Sequence, residues 1–370
     1  MRFVHIAGTN GKGSTAAYIS SIITAAGQRC GCFTSPHLVS ETERFRIDGR
    51  PIGADTLDAL LAEVKDNQLA VNDTLFAAYT ASALLWFARE GVDWAVMEVG
   101  LGGRLDPTNA IQPDITVLTA VSVDHTDVLG SRLEDIAAEK CGIIKPGVPV
   151  VLAKQHTAVQ DIITAHCENV GSLLSFVGDV EIMSQTLKGQ AFKLEGGSYT
   201  ISEIGQAQPQ NAALAVLACR TLGFNEASIE WGLAATVLAA RTQYIAVNPD
   251  MLLDGAHNPA AAAMLSDTLD QYFSDRKRVL LFACMQNKDH KGITEALGGH
   301  FDCVITTRVD EKRGAKAIDL CRLFSQYAPC ETETNPQLAF DKARAIAVRK
   351  DALLVVSGSL YLAGAVLHRL

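Results

Sequence analysis

Eight residues near the start of the chain, Gly8-Thr9-Asn10-Gly11-Lys12-Gly13-Ser14-Thr15, set a lysine among glycines between an apolar run and a helix-forming segment. Glycines let backbone N–H groups converge on a phosphate, a helix start adds partial positive charge, and a lysine offsets the outer phosphates. The spacing departs from the common GxxxxGK[ST], because Gly13 stands between Lys12 and the hydroxyls of Ser14 and Thr15. The order of strand, glycines, lysine, hydroxyls and helix reads as a triphosphate cradle.

Further segments with chemical potential end strand-like runs. "FTSPHL" carries Ser35 and His37, "VMEVGLGGRLDPTN" carries Glu98, Arg104 and Asp106, and "SVDHTDVLG" carries Asp124, His125 and Asp127. Magnesium takes a few oxygen ligands plus phosphate oxygens and water, which Ser35 and Glu98 could supply. Histidine is a less usual magnesium ligand, so His125 taken singly reads equally as a hydrogen-bonded structural residue, and Glu98 as a cap. "IAAEKCGIIKPG" places Lys140 at a helix end and Lys145 before a turn, where a cation complements the helix dipole. "LLDGAHNPAA" puts Asp254, His257 and Asn258 where a strand meets a helix, as a site or as a helix cap.

These segments need a scaffold, and the pattern predicts one. Apolar runs alternate with helical periodicity through "RFVHIAG", 11–26, "RCGCFTS", 74–90, "WAVMEVG", "DITVLTAVS", 133–140, "VPVVLAK" and 157–168, the signature of a mostly parallel sheet. Between about 173 and 204 the pattern predicts antiparallel strands in a small side sheet, followed by helices at 208–222 and 226–235. A second α/β series begins near 243, with strands in "MLLDGAH", "VLLFACM", "DCVITTRV" and "ALLVVSGSL". Helices are expected around 258–273, 289–298, 315–323 and 335–348. The expected architecture is α/β: a P-loop domain over 1–238 with a mostly parallel sheet and a small antiparallel side sheet, then a smaller Rossmann-like domain over 239–370. Ligands of such sheets bind at the carboxyl ends of the strands.

Composition narrows the classes. The 370 residues are 48% hydrophobic and 20% charged, which argues for a folded core, and the net charge of −9 gives no electrostatic footprint for nucleic acid. No run approaches a membrane span and the start lacks a signal peptide's pattern, so a cytoplasmic protein is expected. Nine scattered cysteines, with Cys30 and Cys32 in a CxC, read as reduced, buried thiols.

Taken together, "HIAGTNGKGST", "FTSPHL…ERFRIDG", "MEVGLGGRLDPTN", "SVDHTDVLG", "IAAEKCGIIKPG", "QPQN", "DGAHNP" and "SGSLYL" resemble the folylpolyglutamate synthase/dihydrofolate synthase family, a branch of the Mur-type ATP-dependent amide ligases. The resemblance spans nearly the whole chain. It implies that ATP phosphorylates a carboxylate of folate or dihydropteroate, and that L-glutamate attacks the acyl phosphate, with ADP and phosphate released. Carried over by position, Asn10, Gly11, Lys12, Gly13, Ser14 and Thr15 hold the phosphates, and Asn211, Arg241 and Asp254 contact ATP. Ser35, Glu98 and His125 resemble the Mg2+ ligands, Lys140 the lysine carried as a carbamate, and His257 the histidine near the incoming glutamate. A monomer that closes over ATP between its two domains is implied.

Departures accompany the match. The family has a segment before the P-loop strand, which here starts at residue 2, so a late-assigned start or a shortened variant is expected. "LAARTQ" replaces the Pro-Gly-Arg hinge, Ala77 stands where glutamate is common, and Ala207 where histidine is common. They keep two alternatives open: a Mur-type ligase for another acid, or a non-catalytic ATP-binding paralogue.

Overall fold

The first apolar run forms strand β1 (Arg2–Ala7), whose Val4, Ile6 and Ala7 are fully buried, as expected of a strand covered on both faces. It is followed by α1 (Lys12–Ala25), β2 (Cys30–Phe33), β3 (Phe45–Ile47), β4 (Arg50–Pro51), α2 (Ala54–Asp66), α3 (Leu75–Arg89) and β5 (Trp94–Glu98). Then come β6 (Ile115–Leu118), the short α4 (Thr126–Leu129), α5 (Leu133–Cys141), β7 (Val150–Leu152), α6 (Thr157–Val170) and β8 (Leu174–Phe176). The computed structural model describes residues 1–68, 74–310 and 312–370. Among these, an eight-stranded sheet runs in the order β4-β3-β2-β5-β1-β6-β7-β8. Its centre is parallel, and β3 and β4 add antiparallel strands at one edge.

The side sheet consists of β9 (Glu181–Thr186), β10 (Gly189–Leu194) and β11 (Gly197–Ile201), in the order β11-β10-β9. One part of the expectation is corrected. Leu174–Phe176 does not join this side sheet but pairs parallel with β7, Val150 opposite Leu174, extending the main sheet after a helical crossover. Its half-exposed residues are those of an edge strand, which the sequence pattern does not distinguish from a hairpin strand. Helices α7 (Ala207–Thr221) and α8 (Glu226–Ala235) follow, and Ser21 of α1 donates its hydroxyl to the Gly232 carbonyl of α8 at 2.7 Å.

The remaining elements are β12 (Gln243–Ile245), β13 (Met251–Leu253), α9 (Pro259–Phe273), β14 (Arg278–Phe282), α10 (His290–Leu297) and β15 (Cys303–Thr306). They continue with α11 (Ala317–Phe324), β16 (Cys330–Thr332), α12 (Pro336–Lys350), β17 (Leu353–Ser357) and α13 (Leu360–Leu367). Their sheet has the order β12-β13-β17-β14-β15-β16, parallel except for β12. The chain divides into two compact units, Met1–Ser184 with Gln190–Ser202 and Gln208–Val237, and Leu238–Leu370 with Gln185–Gly189 and Glu203–Ala207. No described helix is long and apolar enough to cross a membrane. All nine cysteines are free thiols, and all but the half-buried Cys330 are buried.

In the second unit a buried cation fixes a helix end. Arg278 donates through Nε and Nη2 to the Phe273 carbonyl at 3.2 and 2.8 Å, and through Nη2 to that of Leu269 at 3.1 Å. Phe273 ends α9, and its carbonyl also receives the Arg276 amide at 3.0 Å, so the guanidinium reinforces a helix end that the backbone already closes. Arg278→Leu is expected to destabilise the fold by about 2–3 kcal/mol, because it removes the charge-assisted hydrogen bonds of a buried guanidinium. Urea unfolding checks this, and an unchanged midpoint would contradict it.

Candidate active site

The loop between β1 and α1 is held from several sides. The Thr9 and Asn10 amides donate to the Ala120 carbonyl at 2.8 and 3.2 Å, and the Thr9 hydroxyl donates to the Ser122 carbonyl at 2.9 Å. Asn10 reaches the Ser122 hydroxyl at 3.2 Å. The loop is thereby tied to the segment that follows β6. Gly11 begins α1 with φ 90°, and a Cβ there would overlap the carboxamide of Asn211 on α7, so a glycine is required on both counts. Ser14 and Thr15 are buried in the first turn, and the Thr15 hydroxyl has no hydrogen-bond partner.

Two lysine amines converge on one carbonyl of this loop. Lys12 donates to the Gly8 and Thr9 carbonyls, both at 3.2 Å, and Lys140, from the last turn of α5, donates to Gly8 at 2.9 Å. Lys140 is 4% exposed. Burial, and then the charge of Lys12, lower its pKa to about 7, while Asp124 and Asp106 oppose the shift. Lys140 is therefore an amine poised between charged and neutral forms at physiological pH.

Other expected residues lie at neighbouring strand ends. Glu98 closes β5, is 2% exposed, and accepts the Ser35 backbone N–H at 2.9 Å. His125 follows β6, separated from β5 by β1 in the sheet. It caps α4 in a left-handed conformation, φ 52°, a strained state for a residue with a Cβ. The structure thus joins Ser35 to Glu98 directly, and Lys12 to Lys140 and Asn211 through the loop. Among the described residues no three His, Cys, Asp or Glu side chains gather as a ready cation cage. Ser35 and Glu98 carry hard oxygens of the kind Mg2+ takes, and His125 a nitrogen. Lys145 donates to the Asn109 carbonyl at 3.1 Å, in the short 3-10 helix Pro107–Ala110.

Within the second unit, Asp254 follows β13 and receives the Thr242 and Ala256 amides, both at 2.7 Å. Burial raises its pKa, while the Thr242 amide, Arg241 and the Ala256 amide counter the shift. Arg241 lies between Ala240 and Thr242, whose φ angles are 53° and 50°. His257 Nδ1 is 2.7 Å from the Gly255 carbonyl. Asn258 caps α9 through the Ala261 amide at 2.9 Å, ahead of Pro259, so the capping reading of that residue holds.

Sequence reasoning missed Ser122, which anchors the loop, and the pair His5 and Thr108. His5 is an inward position of an ordinary buried strand, and no spacing rule marks it.

The Mur ligase middle domain matches residues 6–219 and the Mur ligase glutamate ligase domain residues 240–360. The chain is 31% identical over 393 residues to a dihydrofolate synthase/folylpolyglutamate synthase from Bacillus subtilis, covering 100% of this chain and 90% of that one. The fold superposes with a TM-score of 0.90 on the Mycobacterium tuberculosis folylpolyglutamate synthase solved with ADP and AMPPCP, at 31% identity, covering 100% and 90% of the two chains. The TM-score is 0.87 against the bifunctional enzyme from Yersinia pestis complexed with AMPPNP and a Mn ion, at 29% identity, covering 100% and 88%. Sequence and fold agree: the chain belongs to the folylpolyglutamate synthase/dihydrofolate synthase family of the Mur ligases.

Proposed function

We propose that this chain is an ATP-dependent, ADP-forming ligase that joins L-glutamate to a carboxylate of folate or dihydropteroate. A free carboxylate is a poor acyl donor. Its oxygen attacks the γ-phosphorus of ATP, ADP departs, and the acyl phosphate now carries a good leaving group. The α-amino group of glutamate adds to the carbonyl carbon, and the tetrahedral intermediate collapses to the amide and phosphate. The reading extends to a cytoplasmic monomer with no nucleic-acid or membrane partner.

The observation that carries this reading is the glycine loop at the start of α1, with Lys12 lying over the Gly8 and Thr9 carbonyls. A helix start with a lysine beside it is built for an anion. Lys12, with Asn10, Gly11, Gly13, Ser14 and Thr15, is read as the phosphate cradle, and Asn211 as a nucleotide contact beside Gly11. Arg241 and Asp254 are assigned to ATP, and His257 to the incoming glutamate. Ser35, Glu98 and His125 would hold Mg2+. That ion, when bound, supplies charge neutralisation on the transferring phosphoryl group.

Lys140 is proposed to carry a carbamate. Its neutral amine attacks CO2, a nitrogen–carbon bond forms, and the displaced proton leaves to solvent. The product is an anion that still has an N–H for the Gly8 carbonyl. The modification replaces a cation that repels Lys12 with a group that attracts it, and adds oxygen donors beside the metal residues.

The test is an ADP-release assay with ATP, Mg2+, L-glutamate and a reduced folate or dihydropteroate. ADP is expected only when both co-substrates are present, with a product heavier by one glutamyl residue. ADP release needing neither folate nor pteroate would overturn the assignment.

A further inference from the structure

The buried imidazole of His5 takes no part in the chemistry above, yet it begins a chain of hydrogen bonds that ends in the loop packed on the last turn of α5. His5 Nε2 lies 2.9 Å from the Thr108 hydroxyl, which donates to Asp106 Oδ1 at 2.5 Å. Because the hydroxyl proton points to Asp106, the His5 proton must sit on Nε2 and be donated to Thr108 Oγ. His5 Nδ1 is buried without a partner among the described residues, so within them the ring is held by the bond to Thr108. Burial, and then Lys145, lower the His5 pKa to about 3, which keeps the ring neutral throughout the physiological range.

Asp106 uses both oxygens. Oδ1 also receives the Thr108 amide at 3.0 Å, and Oδ2 receives those of Gly100 and Leu101 at 3.0 and 2.9 Å. The carboxylate therefore pins the loop that leaves β5 immediately after Glu98. That loop then grips the end of α5. A Cβ on Gly103 would lie 2.6 Å from the Glu139 carbonyl and 3.0 Å from Lys140 Cα. The Arg104 amide donates to the Glu139 carbonyl at 2.9 Å, and Asn109 bridges the Arg104 and Gly142 carbonyls, each at 3.0 Å.

We propose that the buried relay His5–Thr108–Asp106 sets the position of Lys140 against the phosphate loop, making Thr108 a positioning residue for phosphoryl transfer. The proposal rests on the ligase reading above for its kinetic consequence, and on geometry alone for its structural one. Thr108→Val keeps the shape and removes the hydroxyl, whereas Thr108→Ser keeps the hydroxyl. The valine variant is expected to lower kcat about 10²-fold with little change in KM for ATP, since a small displacement of a reacting group carries a cost of that order. The serine variant should recover most of the turnover. Hydrogen exchange at the Gly100 and Leu101 amides should accelerate in Thr108→Val and not in Thr108→Ser.

Should Thr108→Val fail to fold, His5→Gln, which retains a donor, and His5→Leu, which does not, ask the same question. Unchanged kcat in the variants that break the relay, unaltered exchange at those two amides, or a loss confined to KM for ATP would each overturn the proposal. A wild-type protein without ligase turnover would instead refute the functional assignment, and exchange would still test the relay.

Discussion

Lys12→Ala is expected to reduce turnover by about 10²–10³-fold, the cost of removing one preorganised charge from a developing anion in a site of this kind. The side chain already lies over the loop, shared between the Gly8 and Thr9 carbonyls. It needs only to exchange those neutral acceptors for phosphate oxygens, so little reorganisation opposes its action. Alanine is a better helix former than lysine at this first position of α1, and the side chain is only half-buried, so folding should survive. Steady-state ADP release, with thermal unfolding as the control, checks the outcome. Turnover within a few-fold of wild type would remove Lys12 from the phosphate cradle.

Lys140→Met should abolish most activity and, unusually for a residue of this kind, stabilise the unmodified protein near neutral pH. The folded pKa of Lys140 is about 7, against 10.5 for an unhindered lysine. Between those values the unfolded chain binds a proton that the folded chain does not, so stability rises with pH across that window. Below pH 7 both states are protonated and the full penalty of a buried charge beside Lys12 is felt. A thioether of similar length carries no such penalty. Urea unfolding in CO2-free buffer should therefore show a higher midpoint for the methionine variant at pH 7, with the advantage shrinking towards pH 10. In buffer with 13C-labelled bicarbonate the wild type should show a carbamate resonance that the variant lacks. A labelled protein without that resonance, or an active Lys140→Met, would refute the carbamate.

The parts of this fold written in local pattern were legible. The buried strands β1, β5, β14 and β17 are continuous apolar runs, and the helix at 226–235 has the bounds its periodicity predicts. Less legible were elements whose identity depends on a distant partner. β8 is three residues long and becomes a parallel edge strand only because β7 lies beside it. β12 and β16, three residues each, carry too little pattern to announce themselves. The helix Ala54–Asp66 did have a signal, since Leu57, Leu60 and Val64 recur at helical spacing and are its buried face.

The site divides in the same way. Gly8 to Thr15 are contiguous, and the strand–turn–helix junction that their order predicts is present. Glu98 ends a buried strand, as its pattern predicts. His5, Thr108 and Asp106 are drawn together by tertiary structure, with more than a hundred positions between His5 and Thr108. A histidine inside a strand and a threonine in a loop resemble any others until the sheet is assembled.

The residue at position 240 holds a backbone shape that its own side chain does not favour. Ala240 is fully buried in the conformation that glycine adopts freely, and an L-residue carries a burden of about 1–2 kcal/mol there. Its amide is held by the Gln243 carboxamide at 2.9 Å and its carbonyl by the Gly255 amide at 3.1 Å. With Asp254 gripping the amide of Thr242, the turn around Arg241 is clamped from both sides rather than relaxed. Replacing Gln243 or Asp254 would therefore release the turn, and the guanidinium of Arg241 with it, although the arginine itself is untouched.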